Sequence, residues 1–110
     1  MKKTILFMMF ILTTVTMSVE ILNEFYVMEK VITFLDKEAT YNFNGEKFKA
    51  KKVDSKLLKA LATTDNPFYF LDSNNQKKMV RIGDYLISPL TLSEIYAIDE
   101  VNFRNNFIKE

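Results

Sequence analysis

The stretch ATYNFNGEKFKAKKV, residues 39–53, restricts the fold of this chain more than any other. Asn44-Gly45 is the preferred centre of a two-residue hairpin loop, because both central positions of a type I′ turn need positive φ. A two-residue loop also sets the register. Phe43 then faces Glu46, Tyr41 faces Phe48 and Ala39 faces Ala50. Side chains alternate along a strand, so Tyr41, Phe43, Phe48 and Ala50 share one face, while Lys47, Lys49 and Lys51 point to the other.

The segments around this hairpin read as alternating helices and strands. Residues 20–37 carry Ile21, Phe25, Met28, Ile32 and Leu35 at spacings of 4, 3, 4 and 3, one apolar stripe along a helix. Leu22 and Tyr26 widen the stripe, and Glu20 and Glu24 suit the positive end of the helix dipole. Asp54 or Ser55 caps a short helix bearing Leu57, Leu58 and Leu61. Asn66-Pro67 ends that region. FYFLD (68–72) reads as a strand, SNNQ (73–76) as a turn, and KKMVRIGDYLISP (77–89) as one further strand in which Gly83 marks a bulge or a close backbone approach. EIYAI (94–98) is a third strand. Asp99 caps a last helix that buries Phe103 and Phe107 at i, i+4. The expected fold class is α+β: a small antiparallel sheet, an N-terminal helix packed on it and a short C-terminal helix.

Residues 1–20, MKKTILFMMFILTTVTMSVE, are expected to stand apart from that domain. Lys2 and Lys3 are followed by eight apolar residues, Ile5 to Leu12, and then by small or β-branched residues up to Ser18. That is the order of an export signal. The uncharged run Thr4–Val19 is sixteen residues, short of the ~20 that cross a bilayer core. The division expected is a signal-like or short membrane segment at 1–18 and a single α+β domain at 19–110. Export or membrane association through residues 4–19 follows. The competing reading is a buried strand at 5–12 belonging to a cytoplasmic fold.

Several function classes are excluded by composition. The chain has no Cys and no His. Zinc sites of the Cys/His kind, thiol chemistry, a Ser-His-Asp triad and disulfides are therefore ruled out. Two glycines, Gly45 and Gly83, cannot build a phosphate-cradling loop. No cofactor is expected. The net charge of +1 is unevenly placed: residues 20–38 carry net −3, residues 46–59 net +4 and residues 89–110 net −2. That is a dipolar surface rather than a nucleic-acid footprint.

RIGDYLISP, SEIYAID and VNFRNNF arrive in that order and resemble the PGDYG-like domain of bacteriophage and bacterial proteins. The matching positions are Gly83, Asp84, Tyr85, Leu86, Glu94, Tyr96 and Phe103, and FKAKKV at 48–53 resembles the family's opening strand. The likeness spans roughly residues 48–108. Ile82 stands where the family usually has Pro, and Ser93 where it has Gly. The resemblance implies a phage or bacterial setting, mostly cytosolic, and no particular reaction.

Candidate site residues follow from these motifs. Asp84 and Glu94, with Asp99 nearby in sequence, are carboxylates that would serve as acid and base or hold a divalent cation. Their ordinary roles are a bulge residue, an edge charge and a helix cap. Lys47, Lys49 and Lys51, with Lys52, Lys56 and Lys59, would meet phosphates, but Tyr41 and Phe43 face away from them, so a solvated strand face is the better reading. Tyr85 and Tyr96 would line a cleft or serve as strand residues. The function expected is a non-enzymatic accessory protein that binds a macromolecule, with a protein partner and no nucleic acid. The alternative is a carboxylate-dependent hydrolase or metal-binding enzyme using Asp84 and Glu94.

Overall fold

Asn44 (φ 52°) and Gly45 (φ 84°) form the expected turn. The hairpin they close is one part of a chain described here, in a computed structural model, over residues 21–110. The elements are β1 (Ile21–Asn23), α1 (Glu24–Lys37), β2 (Thr40–Phe43), β3 (Glu46–Lys52), α2 (Ser55–Ala60) and β4 (Phe68–Leu71). They continue with β5 (Lys77–Val80), β6 (Tyr85–Pro89), β7 (Tyr96–Ile98), α3 (Glu100–Asn106) and β8 (Ile108–Lys109). The fold is α+β, with the N-terminal helix packed on an antiparallel sheet and a short C-terminal helix, as the sequence predicts.

Two sheets share the strands. The larger has the order β7-β6-β3-β2-β8, with every neighbouring pair antiparallel. The smaller has the order β1-β4-β5, in which β1 runs parallel to β4. The hairpin register is the expected one at Phe43↔Glu46 and Tyr41↔Phe48, and pairing stops at Thr40↔Lys49, one step before Ala39.

Several details differ from the sequence reading, the second sheet and strand β8 among them; three more concern how the chain passes between the sheets and how α1 docks. KKMVRIGDYLISP is two strands in two different sheets, not one strand. Between them, Arg81–Asp84 closes a turn with Gly83 at φ 103°, which L side chains rarely adopt. Asp84 N–H donates to Arg81 O at 3.0 Å, and Gly83 N–H donates to Val53 O at 2.9 Å. The chain thereby leaves one sheet and enters the other.

The second difference is the start of the first helix. Asn23 caps α1, accepting from Tyr26 N–H at 2.7 Å, so Ile21 and Leu22 belong to a strand. The third is the helix face. α1 docks through Val27, Val31 and Leu35, a line spaced by four, while Phe25 is 80% exposed. Leu35 is shared with the predicted stripe. The slim β-branched valines let the helix backbone come close to the sheets, and the bulkier Phe25 lies outside that line.

Apolar side chains segregate into two cores. The first joins α1 and α2 to the smaller sheet and to the inner face of β6: Val27, Val31, Leu35, Leu57, Leu61, Phe68, Phe70, Val80 and Leu86 are among its members. The second lies on the other face of the larger sheet, where Phe48, Ala50 and Ile87 meet Phe103 and Phe107.

The expectation of export or membrane association is corrected. Among the described residues no helix is long and apolar enough to cross a membrane. The longest, α1, has 14 residues and carries Glu24, Glu29, Lys30, Asp36 and Lys37. Residues 1–18 and the run 4–19, including the alternative strand at 5–12, lie outside the described residues. The expected protein partner is corrected as well. The exposed large apolar side chains are Ile21, Phe25, Met79, Ile82, Leu90, Tyr96, Val101 and Ile108. Among the described residues they fall one each on eight different segments; the register aligns Ile21 and Met79 across Tyr69 on the smaller sheet, a patch too small to identify a protein partner.

Candidate functional site: a groove on the aromatic face

The larger sheet has two faces of different character. Alternation places Lys47, Lys49 and Lys51 on the α1 side, where each is engaged. Lys49 Nζ donates to Glu38 O at 2.6 Å. Lys51 pairs with Asp54 at 3.7 Å and lies over the Phe34 ring at 5.7 Å. Lys47 pairs with Glu110 at 3.5 Å. The lysine face is therefore not simply solvated: α1 and the C-terminus partly cover it.

The opposite face is aromatic, and α3 lies on it. Asp99 caps this helix, accepting from Asn102 N–H at 3.1 Å and from Asn102 Nδ2 at 2.6 Å. The Asn102 side chain, then its backbone N–H, hold the Asp99 carboxyl below its ordinary pKa. Phe103 stacks on Tyr85 with ring centroids 3.9 Å apart and meets Tyr41 edge-on at 4.9 Å. Phe107, at the end of the helix, stacks on Phe43 at 4.9 Å and meets Phe48 edge-on at 5.6 Å.

This helix is too short to cover the sheet. Seven residues span about 10 Å, whereas five strands place their outer axes about 19 Å apart. The uncovered part is an open groove of about 770 Å³. Phe48, Ile87 and Phe107 contribute its apolar floor, with Pro89 and Ile98 beside them. Phe43 and Glu46, on either side of the hairpin turn, form one wall; Glu94 and Tyr96 form the other. The volume is in the range of small-ligand pockets, and so is the mixture of an apolar floor with a few polar groups.

Glu94 and Tyr96 form the polar feature of the groove. The Tyr96 hydroxyl donates to Glu94 Oε1. That bond raises the Tyr96 pKa above its ordinary value, since loss of the phenolic proton would bring two anions together. Desolvation and the charges of Glu94, Glu24 and Glu46 push the same way. Glu24, in the first turn of α1, accepts from Ile95 N–H at 2.9 Å and so ties the start of β7 to that helix.

The structure separates the two carboxylates that the sequence offered as a candidate pair. Asp84 precedes β6 and accepts from Arg81 N–H at 2.9 Å, closing its own turn. Glu94 lies beyond the other end of β6, because Ile87 pairs with Tyr96 and Tyr85 with Ile98. A five-residue strand puts about 17 Å between those ends. Among the described residues no group of three or more metal-ligating side chains is gathered in one place. Tyr85 is a packing residue under Phe103 rather than a groove residue. Of the candidates, Glu94 and Tyr96 line the groove and Lys47 reaches its edge; Asp84, Tyr85, Lys49 and Lys51 do not. The sequence reading missed Phe43, Glu46, Phe48, Ile87, Pro89, Ala97, Ile98, Asn106 and Phe107 as groove residues. The hairpin register did hold a signal for two of them, since it puts Phe43 and Glu46 side by side on the aromatic face.

No family model, no curated protein and no solved structure matches this chain.

Proposed function

We propose that this chain is a non-catalytic binding domain whose ligand lies in the groove between the hairpin turn and β7. The observation that carries the reading is the uncovered aromatic face: Phe48, Ile87 and Phe107 form an apolar floor, and the hydrogen-bonded Glu94–Tyr96 pair stands at its side. Apolar floors with few polar groups recognise an apolar body and orient it through one polar end. The placing of Asp84 and Glu94 at opposite ends of β6 supports the binding reading over a hydrolytic one that pairs them, and Asp84 has a structural task in its turn. The resemblance of residues 48–108 to the PGDYG-like domain supports a phage or bacterial accessory role and is silent on the ligand.

The test is a titration of the full chain with 3-phenylpropan-1-ol, a neutral molecule with an aromatic body, followed by amide resonances. Shifts confined to residues 43–48, 94–98 and 106–107 are expected. Shifts concentrated elsewhere, or none up to saturation of the probe, would end the groove reading.

A further inference from the structure

We infer that the groove selects small organic cations, an apolar or aromatic body carrying one protonated amine. The inference rests on the binding reading above and adds the charge of the ligand.

The charges around the groove are mostly negative. Glu46 and Glu94 both line it. Neither carboxylate takes part in an ion pair among the described residues. The cation at its edge, Lys47, is paired with Glu110 at 3.5 Å. Among the described residues a ligand therefore meets two carboxylates free of ion pairs and one ammonium, Lys47, already matched by the Glu110 carboxylate. Strand order sets how those carboxylates stand. Glu46 opens β3 and Glu94 precedes β7, with β6 between them. Their strand axes are two spacings apart, about 10 Å. That gap is wide enough for an ammonium group to lie between the walls. The Tyr96 hydroxyl occupies one of the several lone-pair positions of Glu94 and leaves the others open.

The apolar floor favours the same ligand. Aromatic faces attract cations through the ring quadrupole, and Phe43, Phe48, Tyr96 and Phe107 all line the groove. An anion would be repelled by both carboxylates. A neutral molecule would gain the apolar contact alone. The elevated pKa of Tyr96 comes first from its hydrogen bond to Glu94 and then from burial, and the charges of Glu94, Glu24 and Glu46 add to it.

A matched probe set tests the charge. 3-Phenylpropylamine, 3-phenylpropan-1-ol and 3-phenylpropionate share one skeleton and carry +1, 0 and −1 at pH 7. Each is titrated into the full chain while groove amide resonances are followed. The amine is expected to bind tightest and the carboxylate weakest, with the amine's advantage shrinking as salt is raised. Glu46→Gln and Glu94→Gln are each expected to weaken the amine about two- to fivefold, the range of one exposed ion pair, and to weaken it more than they weaken the alcohol. Both side chains are exposed, and circular dichroism of each variant verifies the fold. Equal affinity for amine and alcohol, or unaltered amine binding in both variants, overturns cation selection and leaves groove binding standing. Absence of groove shifts with all three probes overturns both.

Discussion

The two cores of this domain are built from different materials and enclosed to different degrees. The first is mainly aliphatic, with Leu and Val from α1, α2 and both sheets around Phe68 and Phe70. Its side chains are covered by α1, α2 and strands from several directions. The second is mainly aromatic and single-sided: one sheet face, with one seven-residue helix as its cover. Branched aliphatic side chains fill space between elements on all sides. Flat rings stack well under partial cover and still leave an edge to solvent. The closed core holds the fold, and the open one has a groove.

The largest expected effect separates the two cores directly. Phe70→Ala, at a side chain with no exposure, is expected to lose about 3–5 kcal/mol of unfolding free energy in urea titrations. Phe103→Ala, at 4% exposure under a short helix, is expected to cost about 2–3 kcal/mol, because α3 can settle onto the sheet. A greater loss at Phe103 than at Phe70 would invert the comparison.

A smaller effect belongs to the cap of the helix that serves the closed core. Asn23→Ala removes the acceptor for Tyr26 N–H and is expected to cost about 1 kcal/mol. An unchanged urea midpoint would show that packing of Val27, Val31 and Leu35 alone sets the helix start.

Acid should weaken both halves through one carboxylate each. Asp72 accepts from Gln76 N–H and Asn74 N–H in the β4–β5 turn, and chiefly the Gln76 bond lowers its pKa from the ordinary 3.8. Asp99 is lowered by Asn102 at the start of α3. A depressed carboxylate pKa means the unfolded chain binds the proton more readily. The stabilisation is therefore present above about pH 4 and is lost as pH falls through 3.8 towards the folded value. Melting temperatures measured from pH 6 to pH 2 should fall less steeply in Asp72→Asn and Asp99→Asn, in which the amide keeps a capping oxygen but does not titrate. An identical acid slope in both variants would remove these two groups as the cause.

The smallest effect is spectroscopic and confined to the groove. Tyr96 should ionise above the ordinary value of 10, and Glu94→Gln should bring its absorbance transition near 295 nm back down. A transition that does not move would break the link between the Glu94 hydrogen bond and the acidity of Tyr96.

Much of the local structure was legible in the sequence, and for a local reason. Asn44-Gly45 and the period-two pattern around it determined the hairpin, its register and the division of β3 into an aromatic and a lysine face. Asp54-Ser55 and Asp99 marked two helix starts, the first of which the structure assigns to Asp54, and Phe103 and Phe107 marked the buried side of the last helix. Turns and caps depend on residues three or four apart, so a short window contains their whole cause. Other features depended on partners far along the chain. β1 exists because Ile21–Asn23 lies beside Tyr69–Leu71, and β8 because Ile108 and Lys109 reach Asn42 and Tyr41. The split of residues 77–89 between two sheets follows from Val80 pairing with Phe68 while Tyr85 pairs with Lys52. The docking face of α1 followed the space between the sheets rather than the size of Phe25 and Ile32. The groove is the most tertiary feature of all. Each of its residues looks like an ordinary strand or turn residue in the sequence, and it exists only because a seven-residue helix lands on a five-stranded face and leaves part of it bare.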